Sequence, residues 1–500
     1  LGVLFDAYAD LEKASDLTPN MPIARFNLSV LAEAFGLRSL ARSSWQEYLM
    51  LDGSSEWAGE ARKRLAALSV APQDGWISAR KELAQTERAD RFRMIVDRYR
   101  QEVRELLLEE ILPAWGHAIL SGNAEAQPSQ FCRSLAFALE AVGGDGEARL
   151  VIQRIEDVRK GDSTRRRTLA QAVVAVGEAM TRVRERDFSE AQAIVERAKP
   201  AIELEGPPIS LEADLVRLRA AYQANRFAEA VRLGTLLARE ASGGRVPHLR
   251  GRALWVVGTA ALVLGHHEEG EVAYRKAILE FKRAGEIANL AAVRIRLAGA
   301  LIGVGNQAGA WALRLPALRT LGLVGDLRNY RLALTDAAFD AAELGAFPAA
   351  RAYLAEVIST AREERNVMPL SRAFLHRAEV AEEEGRLDRA AADLGRARRW
   401  GEQISDRGDR EALLMDLAFA SGRLMRMKGE NVAAKTALDV ALHEFERVGV
   451  SSLYPGVLRE RSQVRMATGD VSGAEEDLTR AIGLLETERG EAGEREQSIG

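Results

Sequence analysis

Six short turns recur along this 500-residue chain at nearly constant spacing. They read GHHEEG (265–270), GNQAGA (305–310), GAFPAA (345–350), GRLDRA (385–390), GENVAA (429–434) and GDVSGA (469–474), with steps of 40, 40, 40, 44 and 40 residues. Two less regular copies precede them, RDFSEA ending at Ala191 and NRFAEA ending at Ala230. A fixed period with a small residue at each end of a short turn is the signature of stacked helix pairs. The glycine lets the first helix end in a left-handed conformation without steric penalty. The small residue at the far end lets the second helix approach the first. Pro348 stands where a second helix should begin, a position that does not need an N–H.

The flanks carry helical spacing. In ALWVVGTAALVLG, Gly258 and Ala261 lie beside Leu254, Val257 and Leu262. Second helices repeat apolar pairs at Tyr274 and Ala277, Leu354 and Val357, Leu394 and Ala397, Leu438 and Ala441, and Leu478 and Ala481. Sustained period-2 alternation is almost absent. The reading is all-α.

These positions carry a resemblance to the tetratricopeptide repeat (TPR), whose pattern is filled by Gly258, Gly265, Gly270, Tyr274 and Ala277. Ala378, Gly385, Ala390, Leu394 and Ala397 fill it again, as do Gly422, Gly429, Ala434, Leu438 and Ala441. The resemblance implies an α-solenoid, a right-handed superhelix of antiparallel helix pairs. Its period of 40 exceeds the usual 34 and is similar to the longer-helix repeats of bacterial regulatory arrays. Near the amino terminus, Ala7, Leu11, Ala14 and Pro19 resemble the second helix of a truncated repeat. Ser29, Gly36, Ala41, Trp45 and Tyr48 form the next.

The expected organisation is therefore repeat units over 1–68, with the first truncated, a helical spacer over 69–163, and a main array of about eight repeats over 164–488. A tail over 489–500 would lead to a further domain. Within the spacer, APQDG marks a loop, and residues 76–112 read as one long charged helical stretch. LPAWGHAILSGN reads as a short helix, with AVGGDGEA and KGDSTRRR as joints. The chain begins at Leu1 with what reads as half a unit, as a fragment of a longer protein would.

Composition narrows the partners. With 69 basic and 73 acidic residues the net charge is −4, which gives no electrostatic case for nucleic acid or an anionic membrane. No apolar run of about 18 residues reads as a span. Arginine outnumbers lysine 60 to 9, as in GC-rich bacterial coding sequences, and a single cysteine excludes an intramolecular disulfide and fits a reducing cytoplasm.

No catalytic, cofactor or metal site is expected. His266 and His267 with Glu268 and Glu269 offer metal-ligand types, but they occupy variable turn positions open to water. Cys132 with His117 lacks a third group to orient the histidine, so the cysteine reads as a small buried residue. The run Glu382, Glu383, Glu384 reads as a solvated helix face. Arg165, Arg166 and Arg167 lack the interleaved aromatics of a nucleic-acid site, and AVGGDGEA lacks the Lys-Ser/Thr of a phosphate loop. Trp45, Trp57, Trp255 and Trp311 read as packing residues.

In a stacked array the first helices line a concave groove. The repeat register places Trp255, Thr259, Leu262, Ile295, Ile302, Thr335 and Phe339 on that face, followed by Arg372, Glu379, Glu382, Arg423, Arg426 and Arg459. An apolar middle and a charged end suit a protein or extended peptide. The Lys and Asn set of a chaperone-type carboxylate clamp is not visible. At the far end, an exposed apolar edge is expected near Leu478 and Leu485.

WQEYLMLDGSSEWAGEARKRLAAL (45–68) and the block from WISARKELAQ through EEILPAWGHAILSGN resemble the repeat-to-spacer junction of bacterial CHAT-domain proteins. The resemblance implies a cytoplasmic regulatory scaffold preceding a caspase-like domain with a His and Cys pair. That domain, in cis, would be one partner. A second reading is the sensor array of a bacterial NTPase/helix-turn-helix transcription regulator, and a third a free-standing scaffold.

Overall fold

The computed structural model describes residues 2–69, 72–86, 88–123, 126–158, 163–243, 245–448 and 454–497, with side chains described as far as Glu486. Among the described residues every regular element is a helix, and the chain is a TPR-like α-solenoid. Its helices fall into two compact units. One is contiguous, from 70–325, and the other is split, from 1–69 and 326–500.

In the contiguous unit the regular helix pairs are Pro247–Val263 with His267–Ala284 and Ile287–Gly303 with Gln307–Val324. Gly265 and Gly305 close the turns within these pairs at φ 85° and 78°, the left-handed region that costs a glycine nothing. In the two irregular copies the same place is held by Arg186 (φ 68°) and Asn225 (φ 58°). The geometry of the turn is thus kept where its glycine is lost. A Cβ on Gly258 would stand 2.6 Å from the Tyr274 ring and 3.1 Å from the Gly270 carbonyl oxygen, so these two glycines bring the paired helices together.

The spacer packs onto this array. Its helices are Pro72–Gln85, Ala89–Arg98, Arg100–Glu105, a π-helical turn over Leu106–Ile111, and Leu112–Leu120. The stretch read as one long helix is therefore divided, with breaks after Gln85 and at Tyr99, whose φ of −120° and ψ of 41° leave the helical region. The APQDG stretch lies partly outside the described residues, and a helix already begins at its Pro72. KGDSTRRR likewise falls partly outside them, its described part opening the helix Ser163–Glu185. Gly116 lets Leu112–Leu120 cross Ser163–Glu185 closely, because a Cβ there would stand 3.0 Å from the Ala170 carbonyl oxygen.

The split unit contains Leu327–Glu343 with Phe347–Glu363, Val367–Glu383 with Leu387–Gly401, Arg407–Met427 with Asn431–Val448, and Tyr454–Ala467 with Val471–Gln497. The last helix runs on through most of the stretch read as a tail, and 498–500 lie outside the described residues. The small residues at the start of the second helices, Ala350, Ala390, Ala434 and Ala474, are buried as the register requires. Against the face of Phe347–Glu363 pack two helices from the other end of the chain, Gly2–Leu17 and Arg38–Leu51. Phe35 stacks obliquely on Phe5, Tyr8 and Tyr353, with ring centroids 5.5, 5.6 and 6.0 Å away. Trp45 and Trp311 are buried and Trp255 half-buried, but Trp57 is 62% exposed, its ring edge-on to Phe26. It covers an aromatic cluster from outside rather than filling a repeat.

Candidate functional site

The thirteen expected groove positions divide between the units. In the contiguous unit Trp255, Thr259, Leu262 and Ile302 are half-buried and Ile295 is buried. Trp255 meets Phe281 edge-on at 6.1 Å, and the Thr259 hydroxyl accepts from Tyr274 at 3.1 Å. In the split unit Thr335 donates to the Arg331 carbonyl oxygen, and Phe339 lies edge-on to His376 at 5.1 Å. The charged positions pair sideways, from one first helix to the next. Arg423 Nε donates to buried Glu382 at 2.7 Å and Arg426 Nε to Glu460 at 2.7 Å. Arg423 also lies 3.7 Å from Glu379, Arg372 lies 3.9 Å from Asp416, and exposed Arg459 lies 3.5 Å from Glu460. The Glu382 carboxyl is raised to about 7 by burial, against the pull of Arg423. Glu382 is thus no solvated face residue, because the neighbouring repeat covers it.

The split unit carries a second surface. A cleft of about 920 Å³ lies among Gly2–Leu17, Arg38–Leu51, Phe347–Glu363 and the following helices. Leu40, Ala352, Ala355 and Ala381 line it together with side chains of both signs of charge. Arg351 bridges Glu12 at 3.3 Å and Glu384 at 2.7 Å, and Asp393 holds Arg377 and Arg396 at 2.7 and 2.6 Å. Arg389 and Asp388 are exposed at its edge. None of the thirteen groove positions lines this cleft. Sequence reasoning missed it because it needs the amino-terminal helices, whose pairing with residues 347–401 leaves no local signal.

In the contiguous unit, side chains that read as unrelated surface charges converge in the core. Arg104, Asp145, Glu147, Glu212, His248, Arg252 and Glu286 are all buried. Arg104 pairs with Asp145 through Nε and donates to Glu286 at 2.7 Å and to the Ala284 carbonyl oxygen at 3.2 Å. Arg252 donates to the same Glu286 oxygen at 3.0 Å. His248 Nδ1 lies 3.3 Å from Asp145, and its Nε2 lies 2.9 Å from Glu147 and 3.4 Å from Glu212. Three cationic side chains thus face four carboxyl groups. Burial and the neighbouring Glu212 raise the Glu147 carboxyl. Burial alone would lower His248, but the Asp145 carboxylate outweighs it and holds the ring well above its ordinary value.

Asp145, Glu147 and His248 present ligand atoms within 4.8 Å of one another, a donor set that suits a divalent cation. In this structure the ring meets the carboxylates as charges: Nε2 makes a hydrogen bond with Glu212 at 3.4 Å, and Asp145 and Glu147 lie beside the two nitrogens as ion-pair partners of an imidazolium.

A pH dependence follows. A raised His248 value contributes stability that is complete below its unfolded value of about 6.5 and is lost as pH rises through the folded one. The raised Glu147 acts in the same direction. Hydrogen exchange across 245–303 should therefore show protection falling as the medium turns alkaline, by up to about 1.4 kcal/mol per pH unit for each proton lost. In His248→Gln the slope should flatten, and an unchanged slope would remove the histidine from the account.

The groups singled out in the sequence stand apart from these surfaces. His267, Glu268 and Glu269 are exposed at the start of His267–Ala284, and His266 lies 3.5 Å from Glu269. Cys132 is buried, and burial pushes its thiol up to about 11, far from a thiolate at neutral pH. His117 is exposed beside Glu178. No helix among the described residues is long and apolar enough to cross a membrane.

No family model and no curated protein matches the sequence. Solved structures do. The apo form of the quorum sensor NprR from B. thuringiensis aligns with a TM-score of 0.54 over 75% of this chain and 97% of that one, at 12% identity. The apo form of RapI aligns at 0.50 over 77% of this chain and 99% of that one, also at 12% identity. The likeness is one of fold. It places the helix pairs described above among TPR-like helical repeat proteins.

Proposed function

We propose that this chain is a non-catalytic regulatory scaffold that holds an extended segment of a protein partner in the cleft of its split unit. The observation that carries this reading is the cleft itself, about 920 Å³ and lined by both signs of charge together with alanines. Small-molecule sites are mostly apolar with a few polar groups. A cleft of this volume lined by both signs of charge instead suits a peptide, whose side chains would meet Arg389, Arg396 and Asp388. A fold shared with a quorum sensor, NprR, supports a sensing role.

Panning a peptide library on the full chain tests this. Enriched peptides should bind saturably, and Arg389→Glu with Arg396→Glu, both exposed, should weaken them about tenfold or more. Peptides that bind both proteins equally would move the site elsewhere.

The finer reading is that the chain forms the sensing region of a CHAT caspase-like protease, the junction at 45–68 and the spacer block supporting it. The partner would then include the caspase-like domain in cis, and filling the cleft would change its restraint. The sensor array of an NTPase/helix-turn-helix regulator is the competing assignment. Reading the gene beyond both ends separates them: a His/Cys domain downstream supports the protease, and a phosphate loop upstream the regulator.

A further inference from the structure

Within the buried charged cluster of the contiguous unit, Arg104 and Arg252 are engaged by Asp145 and Glu286, so these four side chains balance one another in charge. What remains is one imidazole, His248, and two carboxyl groups, Glu147 and Glu212, each at most 4% exposed. They come from three separate helices, Pro247–Val263, Glu147–Val158 and Ile209–Gln223. His248 Nε2 faces both carboxyl groups, with Glu147 Oε2 at 2.9 Å and Glu212 Oε1 at 3.4 Å.

Two oxygens of this set are left over. Glu147 Oε2 stands at ion-pair distance without a hydrogen bond, and Glu212 Oε2 makes none among the described residues. A buried acceptor without a donor costs free energy, so the core needs a reason to keep two of them. Both carboxyl groups line a cavity of about 40 Å³, together with aliphatic side chains such as Val151 and Val173. At about 10–15 Å³ for each water, it has room for about two or three. Leu108 and Glu109, from the π-helical turn Leu106–Ile111, line the same cavity, and such turns are frequent at functional sites.

We propose that His248 Nε2, Glu147 and Glu212 bind a divalent cation of the zinc class, with waters in the cavity completing its shell. Ligand atoms about 2.0–2.1 Å from a tetrahedral ion stand about 3.3–3.4 Å apart, close to the separations of 2.9 and 3.4 Å found around Nε2. Two carboxylates and a neutral imidazole match the charge of a dication, and imidazole with carboxylate is a donor set that zinc accepts. Asp145 lies 3.3 Å from Nδ1, where it holds the ring with Nε2 toward the ion, as carboxylates behind ligating histidines do. Metal and proton compete for the same Nε2 lone pair, so binding releases the ring proton to solvent. The imidazolium is the metal-free form. The bound ion ties Glu147 of the spacer to Glu212 and His248 of the repeats.

Zinc alone is the probe. The full chain is stripped with a chelator and titrated with zinc against a chromophoric competitor at neutral pH. One equivalent should bind and raise the unfolding temperature. Glu212→Gln and Glu147→Gln, which keep shape and remove charge, should each weaken binding at least about a hundredfold, more than the loss of an outer partner does. His266→Ala with His267→Ala, at the exposed turn, should leave it unchanged. Cobalt in place of zinc should give the visible absorption of a four- or five-coordinate ion, lost in both glutamine variants. A wild-type chain that binds no zinc overturns the proposal, whether or not the variants fold. Binding that survives both glutamine variants overturns it too, as does binding abolished by the His266 and His267 changes, which would put the ion at the turn. Failure here leaves the cleft of the split unit untouched, because the two sites share no residue.

Discussion

Replacing Arg104 with methionine should destabilise the contiguous unit by about 3–5 kcal/mol, the loss typical when one partner of a buried ion pair is removed. Arg104 is buried, and its guanidinium serves Asp145, Glu286 and the Ala284 carbonyl oxygen at the end of His267–Ala284. Without it, buried Glu286 keeps Arg252 as its cationic partner and buried Asp145 keeps only His248, whose ring it shares with Glu147. The cost arises from stranded charge rather than lost attraction, so a second change should recover part of it. Asp145→Leu added to Arg104→Met is expected to be more stable than Arg104→Met alone. Urea unfolding should show a lower midpoint with an unchanged slope. Because Arg104 lies on the spacer and Glu286 in the repeats, exchange protection should fall in both. A loss below about 1 kcal/mol would mean that the cluster is wetter than its burial indicates.

How much of this could be read in advance depends on how local the cause is. The turn glycines were legible because a left-handed residue between two helices is a local demand that glycine meets best, as Gly265 and Gly305 do. Asn225 meets the same demand as the usual substitute for glycine, and Arg186 meets it against its preference, and for that reason their copies looked irregular. The small residues facing them, such as Ala390 and Ala434, were equally legible from spacing alone. The charged cluster was not. Arg104, Asp145, His248 and Glu286 stand in four separate segments, each charged like any solvated helix, and AVGGDGEA reads as a joint without the Lys-Ser/Thr of a phosphate loop. Glu382 misled in the same way, since the arginine that covers it comes from the next repeat. Trp57 misled in the opposite sense, a large apolar residue that stays outside.

The least legible element is the clasp that builds the cleft, and Glu356→Ala should open it. Arg38–Leu51 begins after Leu37, a residue without a side chain to cap a helix, and no local cap is made. The cap comes from more than 300 residues away. Glu356 accepts from the Ser39 N–H at 2.8 and 3.0 Å through its two oxygens and from Leu40 N–H at 3.2 Å. A carboxylate at a helix start also meets the positive end of the helix dipole. Tyr330 completes the clasp, its hydroxyl donating to the Gly36 carbonyl oxygen beside Glu356 and accepting from Arg38 N–H at 3.2 Å. Burial raises the Glu356 carboxyl even with these donors around it, so the site tolerates its charge only because they are there. Alanine strands two N–H groups, and about 3 kcal/mol of the attachment should be lost; glutamine, keeping one acceptor, should lose about 1 kcal/mol. Limited proteolysis should then cut faster near 18–21 and 52–55, where the helices of residues 2–69 are joined. Since Glu356 also lines the cleft, peptide capture should fall with it, alanine more than glutamine. Unchanged proteolysis in Glu356→Ala would mean that the aromatic contacts of Phe35 hold these helices alone. The ordering of alanine against glutamine separates a cap that acts through hydrogen bonds from one that acts through charge, because charge alone would make the two variants equal.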